Sequence, residues 1–149
     1  MIIEYKKVRD GAKVPVRSNP SDAGLDVFAC LDETFSLAPM QSLIIPTGLK
    51  FGIPHGYMLQ VMNRSSVAAK RGLVVGAHVI DSGYDGEVFI NIHNISNQHQ
   101  VLRDGMKIAQ LVMIPVVSFR PYEIGEDALY QKPITISDRG DGALGSTGG

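Results

Sequence analysis

Short strand-like runs, each bounded by turn residues, are the feature that most constrains the fold of this chain. Residues 87–93 show the pattern best, because Val88, Ile90 and Ile92 alternate with polar residues and so share one face of an extended strand. Strands at this spacing, separated by Gly, Pro, Asn and Asp, are typical of a β sandwich or barrel. We therefore expect an all-β fold with strands at residues 2–8, 25–30, 42–45, 49–53, 57–63, 74–80, 87–93 and 107–117.

One stretch has the pattern of a helix instead. Ser65 and Ser66 are favourable N-terminal caps for residues 67–71, and Gly72 follows where a left-handed C-terminal cap is favoured. A helix of about two turns is not stable alone in water. The predicted architecture is a compact β domain that carries one short helix.

Composition limits the class of protein. The chain has 149 residues, 44% apolar and 19% charged, with a formal net charge of −1. This fits one folded domain, and a charge near zero is unfavourable for binding nucleic-acid backbones or anionic membranes. The single cysteine, Cys30, excludes an internal disulfide framework and suits a reducing compartment. Because no signal-peptide pattern or membrane-spanning run is present, we expect a cytoplasmic protein with no nucleic-acid or membrane partner.

The chain contains more glycine than average, and much of the excess lies at the C-terminus. There are 16 glycines, five of them in the last ten residues, whereas average usage gives about ten in a chain of this length. The tail is either a disordered end or a mobile phosphate clamp, to which Arg139, Ser146 and Thr147 add donors. A P-loop is rejected, because its lysine is missing and no helix can follow. We divide the chain into a core over residues 1–124, a linker over residues 125–138 and a flexible glycine-rich arm over residues 139–149.

Two loops combine polar residues that suit anion or metal chemistry. Residues 21–26, which end in Asp26, are explained by an ordinary β-turn when taken alone. Arg64, Ser65 and Ser66 either form an anion site at the start of the helix or serve only as a cap beside an exposed arginine. Capping by itself explains the serines, so the two interpretations are evenly balanced.

Residues 76–87 form a predicted hairpin with one unusual carboxylate. Turn chemistry and packing account for its glycines and for Tyr84. They do not account for Asp81, which directly follows positions of mostly buried type and can act as a general base on a nearby water. The four histidines show no metal-ligand spacing, and nothing local supports a nucleophilic pair between one of them and Cys30.

In order and spacing, these segments resemble the trimeric dUTP pyrophosphatase (dUTPase) family. The resemblance runs from about residue 14 to the C-terminus and includes the phrase from Pro46 to Tyr57. Any one motif is weak evidence, whereas five in the right order are strong. The motifs lie at residues 23–26, 64–68, 76–86, 105–110 and 139–148.

The resemblance implies a jelly-roll-like β fold and hydrolysis of dUTP to dUMP and pyrophosphate with Mg²⁺. It further implies a homotrimer whose subunits share each active site. Asp81 would deprotonate the water that attacks the α-phosphorus, and Tyr84 would pack under the deoxyribose. Asp26 would act near the Mg²⁺ through a coordinated water.

The remaining implied roles concern the base and the phosphates. Uracil would be bound mainly by backbone groups of the hairpin, around Gly76, His78 and Val79. The phosphate chain would be held by Arg64, Ser65, Ser66 and Gln110, and covered by a lid formed by Arg139, Leu144, Gly145, Ser146 and Thr147.

Three positions depart from the usual family pattern. Leu144 stands where an aromatic residue stacks on uracil, and such stacking contributes about 1–3 kcal/mol. His78 occupies a position where glycine is common in the hairpin. Met106 and Lys107 replace an acidic–basic pair. None of these changes removes the hydrolytic carboxylate.

Two alternatives remain at this point. The related dCTP deaminases share the Arg-Ser-Ser segment and a hairpin like that of Ala77 and His78, but they need a catalytic glutamate at the position of Asn91. They also lack the glycine-rich arm. The second alternative is a non-catalytic β-rich trimer that binds a nucleotide or a protein; the presence of Asp81 and Tyr84 argues against it.

Overall fold

The structure is a computed structural model that describes residues 1–126 and Leu129. Eleven β-strands and one α-helix follow one another within these residues. They are β1 (Glu4–Lys7), β2 (Leu25–Phe28), β3 (Phe35–Leu37), β4 (Ser42–Pro46), β5 (Leu49–Gly52), β6 (Tyr57–Met62), α1 (Ser65–Arg71), β7 (Leu73–Val75), β8 (Val79–Ile80), β9 (Phe89–Asn94), β10 (Gln100–Leu102) and β11 (Lys107–Pro115).

The strands form two larger sheets and two isolated pairs, and every pairing is antiparallel. The larger sheets have the orders β2-β11-β6-β8 and β4-β9-β7, while β1 pairs with β5 and β3 with β10. Buried residues of both larger sheets, such as Val27, Leu111 and Ile90, belong to one apolar core. Within the described part of the chain the sheets stay separate and form no closed barrel. The expected all-β fold with one short helix is confirmed.

The alternation predicted around residues 87–93 is present in the structure. Val88, Ile90 and Ile92 are 2%, 0% and 1% exposed, and they form the inner face of β9 and the residue before it. The prediction omitted β3 and β10, which pair with each other. Each has only three residues and no long apolar alternation, so the sequence carries little signal for them.

The single strand predicted over residues 74–80 is wrong. The segment contains two strands that belong to different sheets, since β7 pairs with β9 and β8 pairs with β6. Between Val75 and Val79 the chain therefore crosses from one sheet to the other. Residues 76–78 form this crossing, and it opens the hairpin that was predicted to carry the chemistry.

The helix begins two residues earlier than predicted, at Ser65 instead of residue 67, and its serines do not cap it. Arg64 occupies the N-cap position with φ −86° and ψ 128°, and no side chain makes a cap hydrogen bond. Ser65 and Ser66 lie inside the first turn, where their hydroxyls cannot reach back as caps. At the other end, Gly72 has φ 64° and ψ 30° and donates its N–H to the Ala68 carbonyl, as predicted.

All of these elements lie within one compact unit, Met1–Ser118. The predicted linker and arm fall almost entirely on residues 127–128 and 130–149, outside the described residues, and their boundaries stay predictions. No helix in the described part of the chain is long and apolar enough to cross a membrane.

Candidate active site

Asp26 on β2 is the buried centre of a cluster of charged side chains that are themselves only half-buried. It is 9% exposed. Its Oδ1 accepts from Arg64 Nε at 3.0 Å, and its Oδ2 accepts from Ser18 Oγ at 3.0 Å. Lys107 Nζ lies 3.4 Å from the same Oδ2. Because two cations surround one carboxylate, the cluster has a net positive charge, which suits a polyanion such as a phosphate chain.

The register of the four-stranded sheet brings the cluster together. Gln110 on β11 lies opposite Asp26 on one side and Met62 on the other. Arg64 lies two residues after the end of β6, at the start of the helix, and its side chain reaches Asp26 on β2, the strand on the other side of β11. The structure thus joins Asp26, Arg64 and Gln110, which the sequence assigned to three separate motifs.

Asn63 is a site residue that sequence reasoning did not single out. Its backbone carbonyl accepts from Gln110 Nε2 at 2.9 Å, and its side-chain Oδ1 accepts from the Val75 N–H at 2.9 Å. Asn63 therefore connects the cluster around Asp26 to β7, the strand that leads into the hairpin. Its only sequence signal is that it directly precedes Arg64, and the fold alone shows that it bridges two segments.

Ser65 and Ser66 are exposed beside this cluster. Because they do not cap the helix, the capping explanation for these serines is removed. Their hydroxyls make no hydrogen bond to the described residues, and they remain available to a ligand.

Gly76 lies at a close approach between backbone and side chains. A Cβ at this position would overlap Asn91 Oδ1 and His93 Nε2, which contact each other at 2.8 Å. The Gly76 N–H also donates to the Asn91 carbonyl at 2.9 Å. Only glycine fits here, and the start of the hairpin is held tightly against β9.

Asp81 stands at the start of an exposed turn whose neighbours are anchored. The Tyr84 N–H donates to the Asp81 carbonyl at 3.2 Å. Ser82 Oγ donates to the Ile53 carbonyl at 3.0 Å, and the Tyr84 hydroxyl donates to the Glu87 carbonyl at 2.8 Å. Asp81 is exposed, and it begins a turn that is anchored to another segment through Ser82 and stabilised internally through Tyr84.

A cavity of about 200 Å³ lies at this turn. It brings together three residues predicted as site residues, Val79, Asp81 and Tyr84. Its full lining is Val79, Ile80, Asp81, Tyr84, Glu87, Val88 and Phe89. A carboxylate, an aromatic ring and apolar side chains around one cavity form a surface on which a sugar can pack beside a general base.

Two ion pairs hold the hairpin to the rest of the domain. Lys50 Nζ lies 2.6 Å from Asp85 Oδ1, and this hydrogen bond lowers the pKa of the Asp85 carboxyl. Arg9 Nε lies 2.6 Å from Glu87 Oε1, and this hydrogen bond raises the pKa of the Arg9 guanidinium. The hairpin residues of both pairs, Asp85 and Glu87, directly follow the Asp81 turn along the chain.

Cys30 has the properties of a core residue. It is 8% exposed, and burial raises the pKa of its thiol. Its Sγ lies 3.4 Å from the Asp10 carbonyl. A buried thiol that resists ionisation is a poor nucleophile.

The chemistry of the donor set limits how a Mg²⁺ ion fits near Asp26. A carboxylate has about four lone-pair positions, and Arg64, Ser18 and Lys107 occupy three of them. The fourth can accept from a metal-bound water, whereas direct coordination would place the ion against two cations. Among the residues that the structure describes, no group of three His, Cys, Asp or Glu can hold a metal. The site therefore fits a Mg²⁺ that arrives with a phosphate chain and keeps its waters.

The predicted lid belongs to the C-terminal arm. Arg139, Leu144, Gly145, Ser146 and Thr147 lie outside the described residues. Their roles stay predictions.

Comparison with known proteins points to one family. The family model described as dUTPase matches residues 10–148. A deoxyuridine 5'-triphosphate nucleotidohydrolase of Wolbachia pipientis subsp. Culex pipiens is 37% identical, with 98% of this chain and 95% of the relative covered. One from a Hydrogenobaculum species is 32% identical, with 99% of each chain covered.

Solved dUTPase structures from Staphylococcus phages are similar as well. A mutant dUTPase of bacteriophage 80alpha with dUpNHpp has a TM-score of 0.81 and 27% identity, and 99% of each chain is covered. A mutant of the phage phi11 enzyme, described with a structural Mg(II) ion, has a TM-score of 0.78 and 27% identity over 85% of this chain and 99% of that one. These likenesses confirm the expected jelly-roll-like β fold.

Proposed function

The chain belongs to the dUTPase family, and we propose that it hydrolyses dUTP to dUMP and pyrophosphate by attack of an Asp81-activated water on the α-phosphorus. Family membership makes it an enzyme, a dUTP diphosphatase. The observation that carries the proposed mechanism is the cavity that Asp81 and Tyr84 line together.

In this mechanism Asp81 is the general base. Its carboxylate takes a proton from water while the water oxygen forms a bond to the α-phosphorus. The bond from the α-phosphorus to its bridging oxygen breaks, and pyrophosphate leaves with the bonding electrons. The anchored Ser82 and Tyr84 support this role, since they fix the turn on which the base stands.

The phosphate chain would lie on the positive side of the site. Arg64, Ser65, Ser66 and Gln110 would donate to phosphate oxygens. Asp26 would hold the Arg64 guanidinium, which it already binds at 3.0 Å, and would accept from a water on the Mg²⁺. When bound, the Mg²⁺ supplies Lewis-acid stabilisation of the negative charge on the phosphates.

The sugar and base would occupy the hairpin side. Tyr84 would pack under the deoxyribose and leave no room for a ribose 2′-hydroxyl. Gly76, His78 and Val79 would contact uracil mainly through their backbone. Arg139, Leu144, Gly145, Ser146 and Thr147 would close over the nucleotide, and Leu144 would give apolar contact in place of aromatic stacking.

We also propose that the active enzyme is a homotrimer in which one subunit's arm completes another subunit's site. Membership in the dUTPase family supports this part of the proposal, because the motifs of the chain resemble those of the trimeric dUTPases. The proposed compartment is the reducing cytoplasm, which suits the buried free thiol of Cys30.

Deamination of dCTP is a weaker candidate. The position that would need a catalytic glutamate holds Asn91, and its amide is already in contact with His93. An amide cannot shuttle a proton as a carboxylate does.

The test is a panel of dUTP, dCTP, dTTP and UTP with Mg²⁺, with identification of every product. We expect dUMP and pyrophosphate from dUTP and little turnover of the others. Ammonia release from dCTP would favour the deaminase, and binding of dUTP without pyrophosphate would favour a non-catalytic protein. Asp81→Asn is expected to keep dUTP binding and to lower kcat by about a hundredfold or more, the usual contribution of a general base.

A further inference from the structure

His78 interrupts the ladder between β6 and β8 in an unusual way. Leu59 lies opposite Ile80 and Gln60 opposite Val79, so the next pair is Val61 with His78. The Val61 N–H donates to the His78 carbonyl at 2.8 Å. In an antiparallel ladder such a pair exchanges two hydrogen bonds, and the second would run from the His78 N–H to the Val61 carbonyl.

The side chain of His78 takes the place of that second bond. Its Nδ1 lies 3.1 Å from the Val61 carbonyl oxygen. Because a carbonyl oxygen only accepts, Nδ1 must carry the hydrogen. The backbone N–H of His78 contacts no acceptor within residues 1–126, and β8 accordingly begins only at Val79.

We infer that the His78 imidazole keeps the hairpin open by replacing its own backbone N–H in the ladder, which leaves that N–H to bind a ring carbonyl of the pyrimidine base. The inference rests on the proposed function, since it assigns the base to this hairpin. His78 is exposed, so water satisfies the N–H in the free protein at little cost. When a base excludes that water, its carbonyl oxygen takes the bond.

This arrangement makes His78 a positioning residue rather than a catalytic one. If residue 78 had no side-chain donor near the Val61 carbonyl, its backbone N–H would form the ladder hydrogen bond to that carbonyl. A nucleotide would then have to break this hydrogen bond before its base could bind the N–H. The effect should therefore appear in KM, whereas kcat, which depends on Asp81, should change little.

The experiment combines amide hydrogen exchange, followed by NMR, with steady-state kinetics. In the wild-type protein we expect the residue 78 amide to exchange like an unbonded surface amide, and to slow at least about tenfold when a non-hydrolysable α,β-imido analogue of dUTP is added, as for a newly formed hydrogen bond. His78→Ala should slow this amide without nucleotide and raise KM about three- to tenfold. His78→Asn is the matched control, because its Nδ2 stands where Nδ1 stood and should preserve both wild-type values.

Three results would overturn the inference: a slowly exchanging residue 78 amide in the free wild-type protein, an amide that the analogue leaves unprotected, or identical behaviour of the Asn and Ala variants. Exchange in the free protein does not depend on turnover. A chain that failed to hydrolyse dUTP would therefore contradict the proposed function, and amide exchange in the free protein would still test whether the His78 side chain replaces the backbone N–H in the ladder.

Discussion

Asn63 offers the sharpest test of how the two sides of the site are connected. Its Oδ1 accepts the Val75 N–H at 2.9 Å, and Val75 is only 7% exposed. Asn63→Ala removes this acceptor and leaves a buried backbone donor unpaired, which costs about 1–3 kcal/mol. In a chain of this size each kcal/mol lowers Tm by about 2–4 °C, so a loss near the middle of the range lowers Tm by about 4–8 °C.

The matched control is Asn63→Asp. It keeps an acceptor oxygen at the same position, and the Asn63 amide nitrogen makes no hydrogen bond to any residue in the described range. We expect Asn63→Asp to retain most of the wild-type Tm, measured by thermal denaturation at matched protein concentration because assembly also shifts Tm. The bridging role of the side chain is refuted if the two variants lose equal stability, or if Asn63→Ala loses none.

The remaining predictions concern the arm, the assembly and the thiol. Truncation before Arg139 should leave a folded protein with kcat/KM for dUTP at least about tenfold lower, because charge-assisted phosphate contacts are lost; unchanged kinetics would exclude a lid. Mixing Asp81→Asn chains with truncated chains should restore part of the activity, whereas no rescue at any ratio would indicate self-contained sites. Cys30 should react slowly with a thiol reagent at about pH 8, below its raised pKa, and fast after unfolding; fast labelling of the native protein would contradict its burial. Because the folded pKa lies above the unfolded one, the stability contributed by the un-ionised thiol is present at neutral pH and is lost as the pH rises.

Local sequence patterns correctly predicted those elements whose structure is determined by residues close together along the chain. Val88, Ile90 and Ile92 fill the core on alternate positions, and their period of two identified the strand. Gly72 ends the helix because the left-handed cap disfavours other residues. Both signals lie within a few residues along the chain, so the sequence alone contained them.

Features that depend on distant partners were not predictable. The segment of residues 74–80 was expected as one strand, and only the pairing of β7 with β9 and of β8 with β6 divides it. The serines at the helix start have the chemistry of caps, but the chain enters the helix with Arg64 at the cap position. Asn63 joins two segments through bonds to Val75 and Gln110, and no local pattern marks such a bridge.

Hydrolysis of dUTP in heavy-oxygen water, with both products analysed by mass spectrometry, tests the central claim most directly. Attack of an Asp81-activated water on the α-phosphorus predicts that the heavy oxygen appears in dUMP and that pyrophosphate carries none. Label in pyrophosphate, or release of inorganic phosphate in place of pyrophosphate, would place the attack on another phosphorus and contradict the proposed role of the hairpin site.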